Sequence, residues 1–172
     1  MKMSEALKGG AAALVLVATA ACGATPASKA ADAATQIELP EITITDAELE
    51  GNPFRTDWTG PFGIPPFAEI QSAHFKPAIL KGILESRADI AAIVDNPEAP
   101  TFDNTILALE RSGQSLNKVM NVFGNLSSTD TNPEIQALEA EIYPMLTRER
   151  DAVTFNPKLF ARVKAVYDQK DR

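Results

Sequence analysis

Apolar side chains recur at spacings of three and four residues in four successive stretches of this 172-residue chain. Such spacing is the period of an α-helix that buries one face. The dipeptides Asn96-Pro97, Asn132-Pro133 and Asn156-Pro157 separate the stretches. Each suits a helix boundary, because Asn caps helices and Pro fits only the first helical turn. The pattern therefore predicts an all-α fold built from helical hairpins or a bundle.

The first two predicted helices lie before the second Asn-Pro pair, Asn132-Pro133. The first runs from about Pro77 to Val94, with Pro77 in its opening turn. The second follows Thr101 and continues to Leu126. Gly113 falls in its middle, at a cost of about 1 kcal/mol relative to alanine. That glycine indicates a close helix neighbour.

The remaining two predicted helices follow the second and third Asn-Pro pairs. The third begins at Asn132-Pro133 and contains Pro144, which we expect to kink it near Glu141 or Ile142. The fourth opens at the last Asn-Pro pair and keeps its helical pattern to Arg172, without a cap, Gly or Pro to end it. We therefore expect residues 51–172 to be an incomplete part of a larger helical fold.

The amino terminus has the pattern of a bacterial export signal. Lys2 and Lys8 form a positive region, and Ala11–Ala21 is a run of small and apolar residues. Eleven residues are too few to cross a bilayer, which requires about 20. Residues 1–21 are therefore predicted to be a signal peptide.

Cys22, the only cysteine, follows this signal directly. A lipoprotein signal places its acylated cysteine at this point, so Cys22 is the predicted lipid attachment site and the membrane a predicted partner. The alternative is an ordinary cleaved signal. Gly23 stands where an Asp would resemble an inner-membrane retention signal. We therefore expect an exported protein in the periplasm, anchored to the outer membrane.

Residues 22–50 are predicted to be a flexible acidic linker. Residues 23–36 contain no large apolar side chain, and residues 37–50 contain five acids and no base. Ile42-Thr43-Ile44 alternates as a short strand does, which is the alternative for this part. The segment Gly60–Phe67 is too rich in Pro and Gly for a helix, and its apolar residues predict a packed, extended loop.

Composition excludes several kinds of site. A net charge of −7 argues against nucleic-acid binding, which requires basic surface. One Cys and one His cannot supply the ligands of a usual zinc site. His74, at the turn into the first helix, is expected to cap or pack that helix. Glu139 and Glu141 point to different sides of a helix, which disfavours a paired acid and base. The bases between Arg148 and Arg172 are expected on exposed helix faces.

Distinctive blocks stand in order along the chain: residues 61–67 (PFGIPPF), 74–78 (HFKPA), 96–106 (NPEAPTFDNTI), 108–113 (ALERSG), 122–126 (VFGNL) and 156–163 (NPKLFARV). Together they resemble the amino-terminal region of the thimet-oligopeptidase-type zinc peptidases, and most of all the peptidyl-dipeptidase (dipeptidyl carboxypeptidase) branch. The resemblance covers roughly residues 52–171. It implies a large, almost wholly helical fold that is split by a deep channel.

The resemblance also implies a function: a zinc metallopeptidase that releases dipeptides from the carboxyl end of oligopeptides, in which this part walls the channel. The family's His-Glu-x-x-His motif, which binds zinc and activates water, has no counterpart in this sequence. We therefore assign no catalytic and no metal residue, and expect the chain to bind no zinc and to be inactive without the missing catalytic half. The alternative is a non-enzymatic helical lipoprotein that acts as an adaptor or scaffold.

Overall fold

A computed structural model of the chain describes residues 37–170. The predicted signal peptide, Cys22 and the first part of the predicted linker lie outside these residues. All regular secondary structure in the described part is helical, with no β-strand, so the predicted all-α class is confirmed. The helices are α1 (Ser72–Val94), α2 (Ala108–Arg111), α3 (Gln114–Thr129), α4 (Pro133–Thr154) and α5 (Pro157–Tyr167). None of those described is long and apolar enough to cross a membrane.

Helix α1 begins at Ser72, five residues before the predicted opening at Pro77. The Gln71 N–H donates to Nδ1 of His74, 3.1 Å away, and this contact caps the helix. Pro77 therefore lies in the second turn, where its missing N–H removes only one bond to the first turn. The predicted start was wrong because Pro77 was placed in the opening turn, whereas one further turn precedes it.

The single helix predicted from Thr101 to Leu126 is divided at Gly113, whose φ of +67° is left-handed. Before the break, a π-helical turn (Phe102–Leu107) leads into α2; after it, α3 begins. The Gly113 N–H donates to Oδ2 of Asp89 on α1, at 3.0 Å. Gly113 therefore permits the break between α2 and α3, because only glycine adopts this left-handed conformation without strain. The expected close neighbour is present: a Cβ at Gly113 would lie 3.2 Å from Oγ of Ser86.

The last two helices start where the Asn-Pro pairs predict. Asn132 caps α4 by accepting from Ile135 N at 2.9 Å, and α4 continues through Pro144 without being divided. Asn156 caps α5 by accepting from the backbone N–H groups of its first turn. Helix α5 ends at Tyr167, short of the predicted continuation to Arg172, and two tight turns follow it.

Helix α1 is the common partner of the other long helices, contacting α3, α4 and α5. Its first half builds a core with α3 and the start of α4, in which the rings of Phe54, Phe75 and Phe123 follow one another at 5.4 and 5.2 Å. Its last turns build a second, smaller cluster around Ile90 and Ile93, closed by Leu159 of α5. The described chain thus holds two apolar clusters along one helix.

Parts of residues 37–50, within the range predicted to be a linker, contact the helices. Ile42 packs against the first core, Leu49 is buried, and the Pro40 carbonyl accepts from Arg87. Residues 37–45 have no regular secondary structure, and a turn of 3-10 helix (Asp46–Leu49) follows. The packed part of the chain therefore begins before Gly51.

The segment Gly60–Phe67, which we call the Phe62 loop, is not packed as predicted. Its apolar side chains face solvent: Phe62 is fully exposed (101%), and Ile64 and Phe67 are about half exposed (54% and 46%). Phe62 also has a left-handed backbone, with a φ of 60°. Only Pro65 and Pro66 are partly covered.

Candidate functional site

His74 is the chain's only histidine, and its position in the structure is that of a helix cap. Its Nδ1 accepts from the Gln71 N–H, while its carbonyl accepts from the Asn52 side-chain amide at 2.8 Å. Asn52 in turn accepts from the Phe54 N–H, so His74 joins the start of α1 to the preceding loop. The predicted capping role is confirmed.

The two glutamates of α4 have separate partners. Glu139 accepts from Oγ of Ser127 on α3 at 2.5 Å, whereas Glu141 pairs with Nζ of Lys76 at 2.6 Å. Each carboxylate therefore fixes α4 to a different helix, and the two do not form an acid and base pair. Within residues 37–170, no three His, Cys, Asp or Glu side chains are grouped so that they could hold a metal ion.

A cavity of about 490 Å³ lies between α1 and the second half of α4. Apolar side chains from both helices line it, including Ile83, Ile90 and Leu146, and Leu39 closes one side. The cavity lies between the two apolar clusters, since Ile83 belongs to the first core and Ile90 belongs to the second cluster. Its size and apolar lining are those of small-molecule pockets.

An ion pair crosses one wall of this cavity. Arg87 donates through Nε and Nη2 to the two carboxylate oxygens of Glu149, at 2.9 and 2.5 Å, and Nη2 also donates to the Pro40 carbonyl at 3.0 Å. Both side chains are largely buried, at 26% and 13% exposure. The Glu149 carboxylate raises the pKa of Arg87 above its ordinary value by accepting these bonds. The charges of Arg87 and Glu149 compensate each other in this wall, and a further base, Arg150, also lines the cavity.

A second network surrounds Arg162 of α5, which is buried (8% exposed). Its guanidinium donates to the carbonyls of Asn96 and Glu98, at 2.9 and 3.2 Å, and to Oδ1 of Asn104 at 3.1 Å. Asn104 itself forms a capping box with Thr101. Arg162 thus holds the loop between α1 and the π-helical turn. Its predicted exposed position was wrong, although its polar partners belong to blocks that the sequence already distinguished.

No family model matches this chain. The sequence is 41% identical to the dipeptidyl carboxypeptidase of Escherichia coli over 120 residues, which is 70% of this chain and 18% of that protein. It is 39% identical to the dipeptidyl carboxypeptidase of Salmonella typhimurium over 122 residues, 71% of this chain and 18% of the relative. Oligopeptidase A of E. coli is 26% identical over 111 residues, 64% of this chain and 16% of the relative.

The chain is a homologue of these peptidases, consistent with the thimet-oligopeptidase-type family. Within this family it is more similar to the two dipeptidyl carboxypeptidases than to oligopeptidase A, as the identities of 41% and 39% against 26% indicate. The match spans about a fifth of the length of the dipeptidyl carboxypeptidases. The buried contacts of Arg162 also connect two of the distinctive sequence blocks. They hold residues 156–163 against residues 96–106.

Proposed function

We propose that this chain is the amino-terminal part of a zinc metallopeptidase that releases carboxy-terminal dipeptides from oligopeptides. The single observation that supports this is the 41% identity to a dipeptidyl carboxypeptidase over 70% of the chain. In this proposal the helical body forms one wall of the substrate channel. Catalytic residues and zinc ligands belong to the remainder of the peptidase.

The residues described here do not fit a zinc site. His74 already uses Nδ1 to cap α1, and Glu139 and Glu141 are engaged with different helices. We therefore assign this chain a structural part in the peptidase. Titration of the purified full chain with zinc tests the assignment, because binding of one equivalent that is abolished in His74→Ala would contradict it.

A chimera tests the peptidase proposal itself. The matching stretch of this chain replaces its counterpart in the E. coli dipeptidyl carboxypeptidase, and dipeptide release from an acylated oligopeptide is measured. We expect activity in the chimera and none in the full chain alone. A chimera that carries an unrelated helical segment of equal length is the control. A folded but inactive chimera would reject the proposal.

We further propose that the protein is exported to the periplasm and anchored to the outer membrane through Cys22. The basis is the sequence pattern of residues 1–22. Metabolic labelling with palmitate tests the anchor, with Cys22→Ser as the matched control. The proposal requires label on the wild-type chain and its loss in the variant.

A second candidate is a helical lipoprotein that acts as an adaptor without enzymatic activity. The observation that favours it is that the first apolar core closes within residues 37–170, where its members Phe75, Ile79 and Phe123 are at most 1% exposed. The DNA downstream of the codon for Arg172 separates the candidates. An open frame that encodes His-Glu-x-x-His supports the peptidase, and its absence supports the adaptor.

A further inference from the structure

The Phe62 loop has a conformation that the rest of the described chain does not explain. Phe62 is 101% exposed and has a left-handed backbone. This backbone conformation favours Gly or Asn, because Cβ crowds the backbone in other residues. An exposed Phe at this position gains no packing in return. Such a backbone outlier at a fixed surface point is typical of sites held ready for a partner.

The loop is anchored on both sides, so the structure holds Phe62 in a defined place. Its turn is closed by bonds from Gly63 N to the Gly60 carbonyl at 3.1 Å and from Ile64 N to the Pro61 carbonyl at 3.3 Å. On the amino-terminal side, the Trp58 ring packs against Phe54. On the carboxy-terminal side, residues leading into α1 pack on the first core. The Phe62 side chain is therefore held at the surface by a loop that is anchored at both ends.

The chemistry of the loop indicates an apolar partner. Residues 60–68 contain no charged side chain, in a chain of which 23% is charged. Phe62, Ile64 and Phe67 are exposed together there. Burial of large aromatic side chains provides much of the affinity at protein interfaces, where they fill pockets.

We propose that the Phe62 loop docks into an apolar pocket on the remainder of the peptidase, with Phe62 as its anchor. This inference rests on the proposed function. The remainder of such a peptidase is long enough to supply this pocket, because the match covers only 18% of the dipeptidyl carboxypeptidases and leaves about four-fifths of the chain. The net charge of −7 disfavours the other apolar surface, an anionic membrane.

The test compares the same substitutions in two contexts, the full chain alone and the E. coli chimera. Phe62→Asn removes the apolar side chain but suits the left-handed backbone, whereas Phe62→Leu keeps an apolar side chain. In the full chain alone, we expect Phe62→Asn to leave the thermal midpoint unchanged or to raise it. In the chimera, we expect it to lower the midpoint by about 2 °C or more, with Phe62→Leu closer to wild type.

The outcomes separate this inference from the proposed function. If Phe62→Asn has the same effect in both contexts, the docking proposal is rejected, while an active wild-type chimera keeps the proposed function. If the wild-type chimera folds but is inactive, or does not fold at all, both proposals are rejected. Binding of the full chain to uncharged phosphatidylcholine vesicles that is lost in Phe62→Asn, with an unchanged chimera, would identify a membrane as the occupant and overturn the docking proposal.

Discussion

Gly82 on α1 lies so close to Leu116 on α3 that a Cβ added to it would be 2.8 Å from the Leu116 Cα. Real Cβ atoms do not approach backbone at this distance, so any side chain at position 82 must push the two helices apart. Helix packing distances depend on the side chains at the contact, and glycine permits the shortest. The contact between the two helices is thus fixed at this point.

Replacement of Gly82 by alanine should destabilise the fold. Alanine gains up to about 1 kcal/mol in helix propensity, but the overpacking against Leu116 costs more, and we expect a net loss of about 1–3 kcal/mol. Urea unfolding of the full chain measures it. Gly124→Ala on α3 is the matched control, because a Cβ added there would meet nothing within 4 Å and the propensity gain alone should stabilise the chain. Equal effects of both substitutions would contradict the packing argument.

Removal of Arg87 should destabilise the chain by about 2–4 kcal/mol, because it leaves the largely buried Glu149 carboxylate without its partner. Arg87→Met keeps much of the side-chain volume and so isolates the charge. Lys164→Met is the control, since the Lys164–Asp168 pair is exposed and its loss should cost at most about 0.5 kcal/mol. Urea unfolding of both variants measures the difference, and equal losses would contradict the burial argument.

The pH dependence of this pair follows from the pKa of Arg87, which the Glu149 hydrogen bonds raise above its ordinary value. A group with a raised folded-state pKa stabilises the fold fully below its unfolded value and loses that contribution as the pH rises through the folded value. The Arg87 contribution should therefore be constant between about pH 7 and 10. A difference between wild type and Arg87→Met that declines over this range would contradict the assignment.

Glu48 should titrate below its ordinary pKa of 4.5, because its carboxylate accepts from Oγ1 and the backbone N–H of Thr45, at 2.7 and 2.8 Å. The side-chain bond is the larger cause. Thr45→Ala should raise the pKa of Glu48 part of the way back to its ordinary value, since the bond from the backbone N–H of residue 45 remains. Carbon-detected NMR titration measures both. Since the folded-state pKa is lowered, the stabilisation is present above 4.5 and is lost as the pH falls through the folded value.

Arg162→Ala should release the loop between α1 and the π-helical turn. The carbonyls of Asn96 and Glu98 would lose their donor, and we expect a loss of about 2–4 kcal/mol. Hydrogen exchange should show faster exchange around residues 96–104. Lys164→Ala, in the same helix but exposed and paired with Asp168 rather than with the loop, is the control. Unchanged exchange in Arg162→Ala would show that the loop is held by other contacts.

The helices themselves could be predicted from the sequence, because Asn132 and Asn156 cap in the way their position before Pro predicts. The break at Gly113 could not, since glycine is compatible with both a helix and a left-handed turn, and the choice depends on Asp89 in another helix. The burial of Arg162 likewise depends on carbonyl groups that are distant along the chain, those of Asn96 and Glu98. Local patterns carry no information about such partners.

The candidate sites divide in the same way. The role of His74 could be predicted because a residue at a helix entrance has nearby backbone groups to bind. The exposure of Phe62 could not, since apolar residues in a Pro-rich segment usually predict packing, and only the three-dimensional course of the loop shows which side they face.

The position of α1 in the sequence has a consequence for the order of assembly. It precedes α3, α4 and α5, each of which contacts it. A chain that emerges amino terminus first, from a ribosome or from an export pore, therefore presents α1 as a docking surface before each later helix arrives. Short connections, such as the two residues between α4 and α5, keep contacting helices close in sequence. Such local contacts favour rapid folding. We expect the emerging chain to gain structure stepwise, helix by helix.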